Sequence, residues 1–269
     1  MEVVLWILLA VTVIVGIWLF LLFPTARRHP DRAILEGKMI AHRGLHGDGI
    51  PENSLMAFRK AADAGYIIEN DIHITADGEV VVFHDDSPLR MCGIDGKIEE
   101  MTLGELRPLR LAGSGEGIPT LAECLREVDG QVPLLIEFKC TGLANCRRLC
   151  EAADRILADY PGKYFIQSFY PFAPGWYKKH RPEILRGQLA TVIRGEGAAK
   201  RLLGELVFNF IARPDFVSYD HHYAAKAVRR LTSRLGAMPV GWTFTAPDEL
   251  ADGRKSFAAF IFEGFDPMK

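Results

Sequence analysis

The sequence has no large excess of charge of either sign. Its 32 Lys and Arg residues are nearly balanced by 34 Asp and Glu residues, so the formal net charge is −2 over 269 residues. A polyanion-binding surface usually carries an excess of basic residues, and a disordered acidic tail carries a block of one sign. The composition therefore argues against a nucleic-acid partner, and the length allows one large or two small domains.

Cysteine is also scarce. The chain has five, namely Cys92, Cys124, Cys140, Cys146 and Cys150. An odd number cannot all pair, and the last three lack a second cluster of Cys or His that would complete a zinc site with them. A reducing compartment fits this usage best. Cys146 and Cys150, four residues apart, are expected to be small core residues on one face of a helix.

Charged residues are absent from one long segment near the N-terminus. Residues 3–23 are 21 consecutive uncharged and predominantly apolar residues, which in a helix match a hydrocarbon core of about 30 Å. A cleaved signal peptide is the alternative, but Glu2 rather than a basic residue precedes the run, and Pro24 to Arg28 do not form a small-x-small cleavage site. We predict a transmembrane helix over residues 1–23 and a juxtamembrane linker over residues 24–37.

The charges that flank this segment predict its orientation. Arg27, Arg28, Arg32 and Lys38 all follow the apolar run, whereas only Glu2 and the amino group precede it. Basic residues next to a membrane span favour the cytoplasmic side. We therefore expect a single-pass membrane protein with its large domain in the cytoplasm, in agreement with the unpaired cysteines.

Residues 38–269 are interpreted as one domain, because no second linker and no internal repeat interrupts them. Short apolar runs alternate with longer amphipathic ones, which is typical of βα units around a parallel sheet. The candidate strands are residues 38–42, 67–74, 79–83, 134–138, 164–168, 187–191, 215–219, 239–244 and 259–262. The clearest helical patterns lie at residues 54–64, 121–128 and 143–158.

Nine strands are one too many for a closed eight-stranded barrel. Asp77-Gly78 between two apolar runs is a hairpin signal, so residues 79–83 are expected to return antiparallel beside residues 67–74. The other eight strands can then close as a (β/α)8 (TIM) barrel, an α/β fold, with an irregular insertion over about residues 85–119.

Two carboxylates lie on one face of the second strand. Glu69 and Asp71 are two residues apart and therefore point to the same side. If they face the barrel mouth, they repel one another unless a cation or a shared proton lies between them, and we expect a divalent metal. The alternative is that both lie on the solvent face of an ordinary hairpin. In the predicted hairpin register, His84 returns level with this pair, and the following Asp85 could orient its ring or serve only as a turn residue.

The next barrel strand ends with Glu137 and Lys139, again on one face. The two side chains could simply pair with each other. Because neighbouring parallel strands end at the same edge, Glu137 is also expected beside Glu69 and Asp71. Three oxygen ligands favour Mg²⁺ or Ca²⁺ over zinc, and they leave the nearby histidines available for proton transfer.

His42 and Arg43 end the first strand, which lies next to the second in a barrel of sequential order. Arg43 and Lys139 beside a divalent cation would form an anion site, and a guanidinium group matches the oxygens of phosphate. Two histidines can then act as general acid and general base. The residues alone therefore indicate metal-assisted cleavage of a phosphodiester.

A family resemblance rests on eight motifs in order. The segments AHRG, PENS, IENDIHITADG, VVFHD, IPTLAECL, IEFK, IQSF and GWTF occur in this order between Ala41 and Phe244, and the resemblance covers essentially residues 39–262. They resemble the glycerophosphodiester phosphodiesterase family of (β/α)8 enzymes, and membrane-anchored bacterial members with one N-terminal span are the most similar type.

The resemblance implies an activity and a role for each site residue. Members hydrolyse glycerophosphodiesters to an alcohol and glycerol 3-phosphate. The implied route uses the metal to activate the glycerol 2-hydroxyl, which attacks phosphorus as one histidine protonates the leaving alcohol, and water then opens the cyclic phosphate. The implied assignments are His42 and His84 as the acid/base pair, Glu69, Asp71 and Glu137 as ligands of Mg²⁺ or Ca²⁺, Arg43 and Lys139 on the phosphate, and Trp242 on the glycerol. Trp242 could instead only fill the barrel.

The sequence departs from the family pattern at two places. Asn70 stands where an apolar residue is usual, on the face opposite the ligands, so it concerns local packing. FIFEGFDP replaces a Thr-Asp near the C-terminus, and no role is assigned to its Glu263 or Asp266.

Two other functions remain open. The same site could hydrolyse lysophospholipids in the manner of a phospholipase D if the mouth admits an acyl chain, and Phe169, Phe172, Trp176, Phe208 and Phe210 are candidates to line its path. From a different class, the domain could be an inactive binding or scaffold module on the membrane, although both histidines and all three carboxylates are present.

Overall fold

Eight parallel strands close into a barrel in the computed structural model, which describes residues 1–26, 28–192 and 198–267. The order is β1-β2-β4-β5-β6-β7-β8-β9, and β1 pairs with both β2 and β9. The strands are β1 (Met39–Ala41), β2 (Ile67–Ile74), β3 (Val80–Val82), β4 (Leu134–Phe138), β5 (Tyr164–Ser168), β6 (Arg186–Ala190), β7 (Phe216–Asp220), β8 (Met238–Phe244) and β9 (Ala259–Phe262). The predicted TIM barrel is confirmed. Arg27, used to predict the orientation, and residues 268–269 lie outside the described residues.

The remaining strand, β3, forms the predicted hairpin with β2. Ile72 pairs with Val82 and Ile74 pairs with Val80, antiparallel, which is the register expected from a turn at Asp77-Gly78. Gly78 has a φ of 89°, a conformation that glycine adopts without strain. The Phe83 N–H then donates to the Asp71 carbonyl at 2.9 Å. The hairpin therefore brings His84 back to the level of Asp71, in the middle of β2.

The helices follow the strands around the outside of the barrel. They are α1 (Glu2–Leu22), α2 (Arg32–Leu35), α3 (Leu55–Asp63), α4 (Leu89–Cys92), α5 (Leu103–Leu106), α6 (Leu121–Val128), α7 (Leu143–Leu157), α8 (Phe172–His180), α9 (Ala198–Gly204), α10 (Asn209–Ala212), α11 (Ala227–Arg234) and α12 (Pro247–Gly253). Three of them match the predicted helices to within one residue at each end. Thr120 and Glu123 form a capping box at the start of α6, which satisfies two of its unpaired N–H groups.

Side chains alternate between two buried layers along each strand. Ile67 of β2, Leu135 of β4, Phe165 of β5 and Phe216 of β7 belong to one apolar cluster inside the barrel, whereas outward-facing neighbours such as Ile68 pack with the helices. Inward positions nearer the carboxyl ends of the strands are polar. The barrel is therefore filled by apolar side chains below a polar mouth, as is usual in this fold.

Helix α1 is long and apolar enough to cross a membrane, and its most apolar window buries none of its surface in the protein. Within the described residues, it contacts the barrel at its C-terminal end. Asn209 Nδ2 donates to the Leu22 carbonyl at 3.1 Å, and Arg213 Nη1 donates to the Phe20 and Phe23 carbonyls at 2.9 and 2.7 Å. These donors satisfy carbonyl groups that a helix end leaves unpaired.

Candidate active site

Three buried carboxylates meet at the carboxyl ends of two neighbouring strands. Asp71 on β2 is the register partner of Glu137 on β4, and Glu69 lies two residues before Asp71. Their candidate ligand atoms all lie within 4.8 Å of one another, and none of the three residues is more than 6% exposed. The structure thus brings together the three predicted metal ligands inside the barrel rather than on a solvent-exposed hairpin face.

The carboxylates share a strong electrostatic field. Burial, reinforced by the charges of Asp71 and Glu137, raises the pKa of Glu69 well above its usual range. Burial likewise raises the pKa of Glu137 to about 7. Burial alone would raise the pKa of Asp71, but the positive charges of Lys139 and His84 outweigh it and hold that pKa well below its usual range. Burial therefore outweighs the nearby positive charges at the two glutamates but not at Asp71.

Two cationic side chains, those of Lys139 and Arg43, and the amide of Asn53 surround the cluster. Lys139 Nζ lies 2.9 Å from Asp71 Oδ1 and 2.6 Å from Glu137 Oε1, so Glu137 and Lys139 do pair, but as part of the larger group. Asn53 Nδ2 donates to Asp71 Oδ2 at 2.9 Å. The oxygen-only donor set and the excess of carboxylates over nearby cations fit Mg²⁺ or Ca²⁺.

Arg43 reaches the cluster through an unusual backbone turn. Its φ is 54°, in the left-handed region that non-glycine residues seldom adopt. The Arg43 N–H donates to Glu69 Oε2 at 3.0 Å, and its Nη1 donates to Glu52 Oε1 at 2.8 Å. The next residue must be glycine, because a Cβ at Gly44 would lie 2.9 Å from Ala57. Backbone geometry, and not only side-chain charge, therefore explains why these residues form the His-Arg-Gly segment.

His42 is held by a carboxylate that sequence reasoning missed. His42 Nδ1 lies 2.6 Å from Glu263 Oε2, just after β9. Burial lowers the pKa of His42 below its ordinary value, although the hydrogen bond to Glu263 opposes this effect. The same bond and one to His46 hold the pKa of Glu263 well below its usual range. Glu263 continues the inward alternation of β9 after Ile261, a signal that could have identified it.

His84 has a carboxylate partner of its own. Its Nδ1 lies 2.6 Å from Asp85 Oδ1, and burial lowers the pKa of His84. Arg90 Nε donates to Asp85 Oδ2 at 2.6 Å, and Arg90 Nη2 donates to Glu52 Oε1 at 2.6 Å. Burial would raise the pKa of Asp85, but Arg90 and His84 lower it to about 2. Asp85 is thus an ionised partner of His84 rather than only a turn residue. No pattern in the sequence indicated that Arg90 would contact Asp85 and Glu52.

The aromatic side chain of Trp242 lies on the opposite wall of the barrel from the carboxylates. Its ring meets that of Phe169 edge to face, with centroids 5.7 Å apart. Phe169 also lines a cavity of about 380 Å³ together with Glu137, Lys139 and Tyr170. Trp242 also packs against the apolar cluster inside the barrel, as expected if it helps to fill the barrel, and its contact with glycerol stays a prediction.

Two residues from the departures in the sequence lie away from the carboxylates. Asn70 is fully buried, and its Nδ2 donates to Cys124 Sγ at 3.3 Å, as expected for a packing position. Asp266 accepts a hydrogen bond from the Tyr66 hydroxyl.

The comparisons with known proteins agree with this geometry. A Caldanaerobacter subterraneus protein named glycerophosphodiester phosphodiesterase is 32% identical over 162 residues, which are 56% of this chain and 65% of that protein. A human protein named lysophospholipase D is 29% identical over 151 residues, 51% of this chain and 48% of that protein. The chain therefore spans less than two thirds of either relative.

A solved structure is similar over most of the chain. It is an Oleispira antarctica phosphodiesterase in complex with the product sn-glycerol-3-phosphate, with 26% identity and a TM-score of 0.70 over 85% of this chain and 93% of that one. The model of the glycerophosphoryl diester phosphodiesterase family matches residues 42–255. With most of its length matched, this chain belongs to the glycerophosphoryl diester phosphodiesterase family.

Proposed function

We propose that residues 38–269 are a metal-dependent glycerophosphodiester phosphodiesterase domain that releases an alcohol and glycerol 3-phosphate. The observation that carries this proposal is the arrangement at the mouth, where two histidines, each paired with its own carboxylate, lie near three buried carboxylates. Family membership supports the reaction, and the product in the Oleispira antarctica structure supports the glycerol 3-phosphate end of the substrate.

His42 and His84 are the proposed acid/base pair. The Nδ1 atom of each ring is held by a carboxylate at 2.6 Å, so Nε2 is the atom left for proton transfer with the substrate. Burial keeps the pKa of both rings below the ordinary value. One neutral ring can therefore accept a proton from the attacking hydroxyl while the other, once protonated, donates to the leaving alcohol.

Glu69, Asp71 and Glu137 would hold the divalent cation. When bound, Mg²⁺ or Ca²⁺ supplies positive charge that lowers the pKa of a hydroxyl group and stabilises developing charge on phosphate. Lys139 and Arg43 lie beside these carboxylates and are proposed to bind the phosphate oxygens. Trp242, on the far wall, is proposed to pack against the glycerol.

A second candidate substrate is a lysophospholipid, which would make the enzyme a lysophospholipase D. A groove of about 690 Å³ between α7 and α8 is lined by Leu143, Phe172, Trp176 and Ile211, and Phe172 contacts Tyr170 of the mouth cavity at 5.2 Å between ring centroids. An acyl chain could occupy it. Phe210, another candidate for this path, instead packs near Phe20 of α1.

We also propose that residues 1–23 are a membrane anchor, residues 24–37 a juxtamembrane linker, and the enzyme a membrane-anchored bacterial type with its domain in the cytoplasm. The contacts of Asn209 and Arg213 with the end of α1 support a helix retained in the folded protein rather than a cleaved signal. The basic residues Arg28, Arg32 and Lys38, which follow the helix, support a cytoplasmic location of the domain.

The proposal is tested by a substrate panel with the purified full-length protein. Glycerophosphocholine and lysophosphatidylcholine are each supplied with Mg²⁺ or Ca²⁺, and release of choline and of glycerol 3-phosphate is measured, with His84→Ala as the inactive control. We expect glycerol 3-phosphate from glycerophosphocholine. Activity on the lysolipid alone would replace this substrate assignment by the second candidate. No metal-dependent activity on any diester would favour the scaffold module.

Protease protection in intact cells and in spheroplasts tests the orientation. A cytoplasmic domain should resist external protease until the cells are lysed. Digestion in intact spheroplasts would place the domain on the outer side of the membrane.

A further inference from the structure

A second cluster of metal-ligating side chains lies at the mouth of the barrel. His221 and His222 directly follow β7, and Glu249 lies in the first turn of α12, after β8. In the order of strands around the barrel, β7 is four strands from β2, and β8 is four strands from β4. This cluster is therefore on the opposite side of the mouth from Glu69 and Asp71, and the two clusters share no side chain.

The three side chains of the second cluster converge. One candidate ligand atom from each lies within 4.8 Å of the other two, and His221 Nε2 is 3.8 Å from Glu249 Oε2. The His221 side chain is only 10% exposed, yet its Nε2 makes no hydrogen bond within the part of the chain that the structure describes. A buried polar atom without a hydrogen bond is costly. This nitrogen therefore points to a ligand from outside the chain.

The other two ligands are oriented by neighbouring groups. His222 Nδ1 lies 2.9 Å from Asp220 Oδ1. When Nδ1–H donates a hydrogen bond to this carboxylate, Nε2 carries no proton and is the atom that can bind a metal. Glu249 Oε2 accepts hydrogen bonds from the Thr245 N–H at 2.8 Å and the Thr245 hydroxyl at 3.0 Å. Such partners behind a metal ligand fix its orientation and strengthen its binding.

The chemistry of these side chains selects a different ion from that of the carboxylates. Two imidazoles and one carboxylate suit zinc, whereas Mg²⁺ and Ca²⁺ prefer oxygen ligands. Tetrahedral zinc lies about 2.0–2.1 Å from each ligand, which places the ligand atoms about 3.3 Å from one another. His221 and Glu249 are already close to this separation. The His222 side chain is 66% exposed, so a small adjustment of its ring can bring its ligand atom to this separation.

We propose that His221, His222 and Glu249 bind one Zn²⁺ ion, with water in the fourth position. The ion would link the loop after β7 to the start of α12. Asp220, which orients His222, is the register partner of Trp242. Zinc therefore stiffens the wall of the mouth that carries Trp242, and this site is independent of which diester the enzyme hydrolyses.

Zinc binding to the full-length protein in detergent tests the proposal. The protein is stripped with a chelator, dialysed, and titrated with Zn²⁺ in excess Mg²⁺, which occupies the carboxylate cluster. We expect one zinc per chain, and Co²⁺ in its place should give the visible absorption of tetrahedral coordination. His222→Ala and Glu249→Gln should weaken binding by at least about 10²-fold, and Asp220→Asn by about 10–10²-fold.

Two controls separate this site from the rest of the protein. His29→Ala removes a histidine from the linker, and Glu69→Gln alters the carboxylate cluster; both should retain zinc. Unchanged thermal midpoints of the zinc-free variants show that folding is intact. The proposal is overturned if His222→Ala and Glu249→Gln bind zinc as the unaltered protein does, if excess Mg²⁺ displaces all of the zinc, or if Glu69→Gln abolishes binding.

Discussion

The two clusters of metal-ligating side chains differ in how the fold supports them. Glu69, Asp71 and Glu137 lie on hydrogen-bonded strands whose register sets their separation, and all three are buried. His221, His222 and Glu249 lie in a loop and a helix start, and one of them is mostly exposed. A rigid site of buried oxygen ligands suits a hard cation beside a phosphate, whereas a peripheral site with two imidazoles and one carboxylate suits zinc with an open fourth position.

The largest effect is expected when the proton-transfer groups next to the carboxylates are removed. His42→Ala or His84→Ala should lower kcat by about 10²–10⁴-fold, because each would remove a proposed general acid or base. Steady-state hydrolysis of glycerophosphocholine at saturating metal measures this loss. His29→Ala, on the linker, is the matched control and should keep full activity. A loss below tenfold for either active-site variant would contradict its assigned role.

The next largest effect tests whether the two clusters bind different ions independently. Glu137→Gln should weaken Mg²⁺ or Ca²⁺ binding by at least about 10²-fold, because one charged oxygen ligand is lost. Zinc uptake by the second cluster should be unchanged. Parallel calorimetric titrations with Mg²⁺ and Zn²⁺ check both statements. If zinc binding falls together with magnesium binding, the two clusters are not independent.

A smaller effect is expected from the carboxylate that orients His42. Glu263→Gln should lower kcat by about 10–10²-fold, with little change in KM. Because the Glu263 hydrogen bond raises the pKa of His42, its loss should move the limb of the pH–rate profile that reports His42 to lower pH. Full profiles of kcat/KM for both proteins provide the measurement. A uniform loss without a shift of either limb would indicate a merely structural role for Glu263.

The smallest effect concerns the pH dependence of the carboxylate site. Burial raises the pKa of Glu137 to about 7 and that of Glu69 above its usual range, and Glu137 must lose its proton to bind a cation. Affinity for Mg²⁺ or Ca²⁺ should therefore rise by about threefold from pH 6.5 to pH 7.5, as one proton is lost from a group that titrates near pH 7. Calorimetry in two buffers of different ionisation enthalpy counts those protons. Affinity that is constant over this range would contradict the raised pKa values.

Much of the first cluster could be predicted because it depends on local rules. Alternation along a strand placed Glu69 with Asp71 and Glu137 with Lys139, and Asp77-Gly78 set the hairpin register that returns His84 to the same edge. These rules act over a few residues, and parallel neighbours then align their carboxyl ends. The barrel, the hairpin and the positions of these residues follow from that information.

The contacts that could not be predicted join distant parts of the chain. Glu263 meets His42 across 221 residues because barrel closure pairs β9 with β1, and Arg90 of the insertion reaches Glu52 across 38 residues. Glu249 meets His221 in the same way, through α12 packing at the end of β8. The sequence by itself determined the strand faces, the hairpin and the apolar N-terminal helix, since these need only local periodicity. Only the tertiary structure decided which carboxylate orients His42, because that contact depends on how barrel closure brings β9 beside β1.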